Sequence, residues 1–156
     1  MTNAEQREQI VAEAQSWVGT PYRLGGRTKG IGADCATLIL QILVNCGVFT
    51  NERLGMYSID WWCHATSDKY LMNVLRHATK VLQTVCYKTL EIEPGNIVLC
   101  KVAHSKVYNH GAIVTQYPYA VHAVNPAVAR VDLSSNHLWA FQEAAIFDPF
   151  IAPDRS

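Results

Sequence analysis

Residues 4–17 read as an amphipathic helix, because Ile10, Val11, Ala14, Trp17 and Val18 recur at helical spacing. Gly19 follows and Pro21 bars continuation. Residues 34–46 show a different pattern. Ala36, Leu38, Ile39, Leu40, Ile42, Leu43 and Val44 are apolar almost all round, as expected of a helix buried on every side. Asp34 suits its N-cap and Gly47 its C-terminal stop. A third helix is expected over residues 68–81, with Tyr70, Leu71, Val74, Leu75 and Ala78 on one face. After the Pro94-Gly95 turn the pattern becomes that of strands, expected at residues 96–100, 111–116, 120–124, 128–133 and 144–147. Pro118 and Asn125-Pro126 mark turns between them. Residues 1–90 thus read mostly helical and residues 95–148 as strands, an order that predicts an α+β fold.

Composition narrows the picture. A chain of 156 residues, 49% apolar and 17% charged, suits one compact domain over residues 1–156 rather than a disordered chain. Formal net charge is zero and no stretch concentrates Lys and Arg, which excludes a nucleic-acid or membrane-surface partner held by charge. The five cysteines, Cys35, Cys46, Cys63, Cys86 and Cys100, form no close-spaced pair, so a zinc ribbon is excluded. Reduced thiols are expected, with no metal and no cofactor. The polar start MTNAEQREQIVAEAQ lacks the character of a signal peptide. No run approaches the roughly 18 apolar residues of a membrane span. Synthesis in the cytoplasm is therefore expected, with another delivery route if the target lies outside the cell.

The candidate chemistry centres on Cys35. It stands at the start of the buried helix, after the glycine-rich stretch from Gly25 to Gly32. That stretch is no phosphate loop, since no Gly-Lys-Ser/Thr opens the helix, and its glycines suit tight backbone approach beside a cleft. A helix start carries partial positive charge and N–H groups, which favour a thiolate and can bind an oxyanion. His110 precedes the strand Gly111-Ala112-Ile113-Val114 and suits a general base for Cys35. His122 lies on the next strand and can fix the tautomer of His110. Each residue alone has an ordinary reading as a buried cysteine or a surface or core histidine; the joint pattern favours chemistry. Cys46, Cys63, Cys86 and Cys100 read as ordinary buried thiols. His104 reads as exposed at a hairpin tip, His77 as on the polar side of a helix, and His137 as in a loop. Trp61 and Trp62, beside Cys63 and His64, suit a substrate wall or the core equally.

The motifs Val18-Gly19-Thr20-Pro21-Tyr22, Gly25-Gly26 and Asp34-Cys35-Ala36 resemble the start of the NlpC-type cell-wall cysteine peptidases. Pro94-Gly95-Asn96-Ile97-Val98, His110-Gly111-Ala112-Ile113 and Val121-His122-Ala123 are similar to that family's later strands, so the resemblance spans roughly residues 9–147. The run from Lys29 to Ala36 looks like that of the phage-tail-associated branch. The resemblance implies a papain-like α+β fold, a central helix bearing the cysteine on a small antiparallel sheet. It implies a Cys35–His110–His122 triad that hydrolyses an amide in peptidoglycan stem peptides, usually between D-glutamate and a diamino acid. Tyr22 would line the pocket near the thiol, with Asp34 and Cys35 completing the pocket and oxyanion region. A phage tail or secretion apparatus would deliver the protein to the wall, where an inhibitor protein could block the cleft. Two departures stand out: Ala36-Thr37 replaces the usual Ser-Gly, and Asn96 replaces an aspartate. Acyl transfer, another amide substrate, or a structural tail component with a vestigial site are the competing readings.

Overall fold

The computed structural model describes residues 3–48, 80–85, 92–101, 110–136, 139 and 144–149. Helix α1 (Asn3–Ser16) is followed by a short hairpin, β1 (Arg27–Thr28) and β2 (Gly32–Ala33), and then by helix α2 (Cys35–Asn45). Strands β3 (Lys80–Val85), β4 (Ile97–Cys100), β5 (His110–Gln116), β6 (Tyr119–Ala123), β7 (Val128–Asp132) and β8 (Ala144–Asp148) form a sheet in the order β3-β8-β4-β5-β6-β7. Every neighbouring pair is antiparallel. The fold is α+β, with the cysteine-bearing helix packed on β5 and β6.

Helix α2 is buried on nearly all sides, as its continuous apolar pattern requires. Leu38, Ile39, Ile42 and Leu43 are fully enclosed, and burying such a side chain contributes about 1.5–3 kcal/mol. The core stripe of α1 is narrower than its spacing suggests. Ile10, Ala14 and Trp17 are buried, whereas Val18 is 49% exposed. Arg7 fastens this helix to the sheet: its guanidinium donates to Asp148 Oδ2 at 2.6 Å and to the Pro94 carbonyl at 2.9 Å. Asp148 is 1% exposed, and burial without a charged partner would be costly.

Alternation along the strands divides the sheet into two apolar faces. Ile97, Leu99, Ile113, Val121, Ala123 and Phe147 join the cluster under the helices. Val98, Cys100, Ala112, Val114, Ala120 and Ile146 join a second cluster with Leu133 and Trp139. By the same alternation His110 and His122 belong to the Trp139 face.

Five of the six sheet strands fall where the hydrophobic pattern puts them, within a residue at each end. The sixth corrects the sequence reading. Lys80 and Val81, expected to end a helix, begin β3 instead, with Lys80 opposite Asp148 and Val81 opposite Phe147. Val81, Thr84 and Val85 are β-branched, and the edge of β8 supplies the pairing that a local pattern cannot reveal. The remainder of the expected helix over residues 68–81 lies outside the described residues.

Candidate active site

The glycine-rich stretch folds into the β1–β2 hairpin, with Arg27 opposite Ala33 and Thr28 opposite Gly32. Gly26 shows why it must be glycine: a Cβ there would lie 2.7 Å from the carbonyl carbon and oxygen of Gly32. The expected tight backbone approach is therefore present at this position. Gly25 N–H donates to Asp34 Oδ2 at 2.8 Å, tying the loop to the start of α2.

Asp34 closes that start. Its Oδ1 accepts from the N–H groups of Ala36 at 2.9 Å and Thr37 at 2.8 Å, while Asp34 N–H donates to Thr37 Oγ1 at 2.8 Å. This is a capping box with threonine in the usual place of glutamate or glutamine. It gives the Ala36-Thr37 departure a structural sense, since the Thr37 hydroxyl completes the box. The Asp34 carboxylate is 1% exposed. It supports the helix start, with both oxygens engaged by backbone N–H groups. Cys35 follows as the first helical residue, 8% exposed. Its N–H is not among those that the cap engages.

Several backbone links bring this helix start to one end of the sheet. Pro21 bridges Ala127, just before β7. Ala33 N–H donates to the Pro21 carbonyl at 3.1 Å. Tyr22 bridges Ala33 and its N–H donates to the Pro126 carbonyl at 3.0 Å. Tyr22 thus lies beside the backbone segment that leads to Cys35. At the same end of the sheet β5 begins with His110, β6 finishes at Ala123 and β4 finishes at Cys100, directly opposite His110. Cys100 lies within electrostatic reach of Cys35.

His110 and His122 face each other across β5 and β6. Their rings meet edge-on, with His110 Nε2 2.9 Å from His122 Nδ1. The register explains the meeting: Ala112 lies opposite His122, so His110, two residues earlier, occupies the same face diagonally from it. Trp139 completes the cluster. Its indole Nε1–H donates to His122 Nδ1 at 3.2 Å, and its ring lies 5.1 Å from that of His110. The sequence reading missed Trp139, a single tryptophan between strands with no motif around it.

Among the described residues, the two thiols other than Cys35 are held neutral. Burial pushes Cys100 up to about 12, with a further push from Cys35, and burial with the Glu13 charge pushes Cys46 up to about 11. Asn96, the second departure, is structural: its Oδ1 accepts from Glu93 N–H at 2.9 Å. Its buried Nδ2 lacks a partner among the described residues. Cys63, His64, His77, Cys86, His104, His137, Trp61 and Trp62 lie outside the described residues.

Burial, followed by the neighbouring His122, pushes His110 down from 6.5 to about 3; burial pushes His122 down to about 4. Above the ordinary value both folded and unfolded chains hold these rings neutral, so the pair gives no pH dependence. Below it the unfolded chain takes up protons that the folded chain refuses. Stability is therefore lost as pH falls from 6.5 towards 3 to 4, where the folded rings titrate. Urea unfolding at about pH 4.5 is expected to show a lower midpoint than at neutral pH, through this linkage. The double variant His110→Asn, His122→Asn should show a shallower decline. An equal decline in both proteins would assign the acid sensitivity to other groups.

No sequence-family model matches the chain, and no curated protein does. Solved structures do. The NlpC/p60 domain of the peptidoglycan hydrolase SagA superposes with TM-score 0.54 at 19% identity, over 90% of this chain and 97% of that one. The fold is that of the NlpC/p60 domains. NlpC2 from Trichomonas vaginalis gives TM-score 0.66 at 15% identity, over 95% of this chain but 49% of its own length. An N-acetylmuramoyl-L-alanine amidase from Bacteroides uniformis gives 0.61 at 12% identity, over 92% of this chain and 99% of that one. The papain-like α+β expectation drawn from the resemblance is met by these NlpC/p60 likenesses.

Proposed function

We propose that the protein is a cysteine hydrolase of peptidoglycan, cutting an amide bond in the stem peptide with Cys35 as nucleophile, His110 as base and His122 as its orienting partner. The observation that carries this reading is the buried imidazole pair at 2.9 Å, at the sheet end to which the Pro21 and Tyr22 bridges lead the start of α2. Neighbours of the same fold include a peptidoglycan hydrolase and an N-acetylmuramoyl-L-alanine amidase, which support the substrate class.

Burial keeps His110 neutral near pH 7, so it is in the form that accepts a proton. In the first step the Cys35 thiol passes its proton to His110 as sulfur attacks the amide carbonyl carbon. The Cys35 N–H, at the positive end of α2, stabilises the resulting oxyanion. His110 then gives the proton to the departing amine, leaving a thioester on Cys35. Water, deprotonated by His110, attacks the thioester carbon; the carboxylic acid leaves and the thiol is restored. His122 holds the His110 ring through both steps.

The bond between D-glutamate and the diamino acid is the proposed target. The run from Lys29 to Ala36 resembles that of the phage-tail-associated branch, a likeness that supports delivery to the wall by a phage particle. Mass spectrometry of purified muropeptides after incubation with the protein tests the reading. Fragments ending in D-glutamate are expected. Release of the intact stem peptide would instead assign the bond to L-alanine, as in the amidase. Added amines appearing in the product would show acyl transfer, and unchanged muropeptides would overturn the substrate class.

A further inference from the structure

A pair of imidazoles has an ambiguity that an imidazole–carboxylate pair lacks. A carboxylate can only accept a hydrogen bond, so it always draws the proton of the ring facing it. Between His110 Nε2 and His122 Nδ1 the single proton can sit on either nitrogen. Only one placement is productive. If His122 Nδ1 carries it, neutral His110 keeps its own proton on Nδ1 and cannot accept another there. If His110 Nε2 carries it, His110 Nδ1 is a bare lone pair.

Trp139 resolves the ambiguity. An indole N–H can only donate, and Trp139 Nε1 lies 3.2 Å from His122 Nδ1. That nitrogen must therefore present its lone pair, and neutral His122 carries its proton on Nε2. His110 Nε2, 2.9 Å from the same lone pair, must then be the donor. Trp139 is fully buried and its ring lies 6.1 Å from that of His122. We propose that Trp139 is a positioning residue that fixes the tautomers of the His110–His122 pair, leaving His110 Nδ1 as the basic atom for Cys35. The proposal rests on the Cys35–His110 reading for its catalytic meaning, but the tautomers themselves do not depend on the substrate.

Cys100 lies opposite His110 in the strand register and is itself within electrostatic reach of Cys35. Burial keeps the Cys100 thiol neutral at about 12, so it does not compete for the shared proton near neutral pH.

The test is nitrogen-15 NMR of the imidazole rings in the full chain near pH 7, in wild type and in Trp139→Phe. This substitution keeps an aromatic ring and removes the N–H. Wild type should show both rings protonated at Nε2 and bare at Nδ1. Trp139→Phe should shift the tautomer ratio about fivefold towards the unproductive form, the change that one ordinary hydrogen bond carries. Alkylation of Cys35 by iodoacetamide should slow in the variant at neutral pH and recover part of its rate at higher pH, where the thiolate forms without the base. Wild-type His110 protonated at Nδ1 would overturn the proposal. So would unchanged tautomers and alkylation in a folded Trp139→Phe protein. If that variant fails to fold, the wild-type spectrum decides alone. Neither readout uses a stem peptide, so failure of the tautomer assignment and failure of the peptidoglycan reading are distinguishable.

Discussion

Cys35→Ala is expected to reduce muropeptide cleavage to background while leaving a folded protein. The chemistry sets the size of the effect. Removing the nucleophile of a catalytic triad costs on the order of 10⁶-fold in kcat, equivalent to about 8 kcal/mol of barrier. The structural cost is far smaller. Cys35 is 8% exposed at the first position of α2, and alanine removes one sulfur atom while favouring the helix. Loss of stability should stay near about 1 kcal/mol, the scale of a small buried deletion. Muropeptide digestion and circular dichroism on the same preparation check both halves. Full activity in a folded Cys35→Ala protein would remove Cys35 from the mechanism, and with it the thioester.

The second large effect is on stability. Asp34→Ala should cost about 3 kcal/mol, combining a lost N-cap of about 1 kcal/mol with about 2 kcal/mol for buried donors left without an acceptor. Those donors are the N–H groups of Gly25, Ala36 and Thr37, all held by a carboxylate that is 1% exposed. Asp34→Asn should cost less, because its amide oxygen can still accept from Ala36 and Thr37. Its NH2 group would then face the Gly25 N–H, donor against donor. Denaturant midpoints for the three proteins at neutral pH test this order. Activity should fall with stability, since the same cap holds Cys35 and the glycine-rich loop in place. A loss below about 0.5 kcal/mol for Asp34→Ala, the lower end for a cap alone, would mean that the box contributes little.

Much of this was readable along the chain. A helix buried on every side announces itself by continuous apolar residues, and α2 lies within a residue of its expected limits. Asp34 before it and Gly47 after it are local signals that act through the backbone of their own neighbours. The strands carrying His110 and His122 were legible because alternation and proline turns are also local. Strand β3 was not: its partner β8 lies more than fifty residues later, and a short edge strand takes its identity from that partner. Trp139 was not legible either, because a hydrogen bond across seventeen positions leaves no periodicity.

The amino-acid sequence by itself determined the α+β class, the cysteine at the head of the central helix, and the order in which the two histidines follow. Those properties depend on spacing, capping and side-chain chemistry within a few residues. Only the tertiary structure decided which ring atoms of His110 and His122 meet, that the Asp34 carboxylate is engaged by backbone N–H groups, and that an indole donates to the histidine pair. Each of these depends on strand register and on the approach of distant segments, where a shift of one residue would turn an imidazole to the opposite face of the sheet.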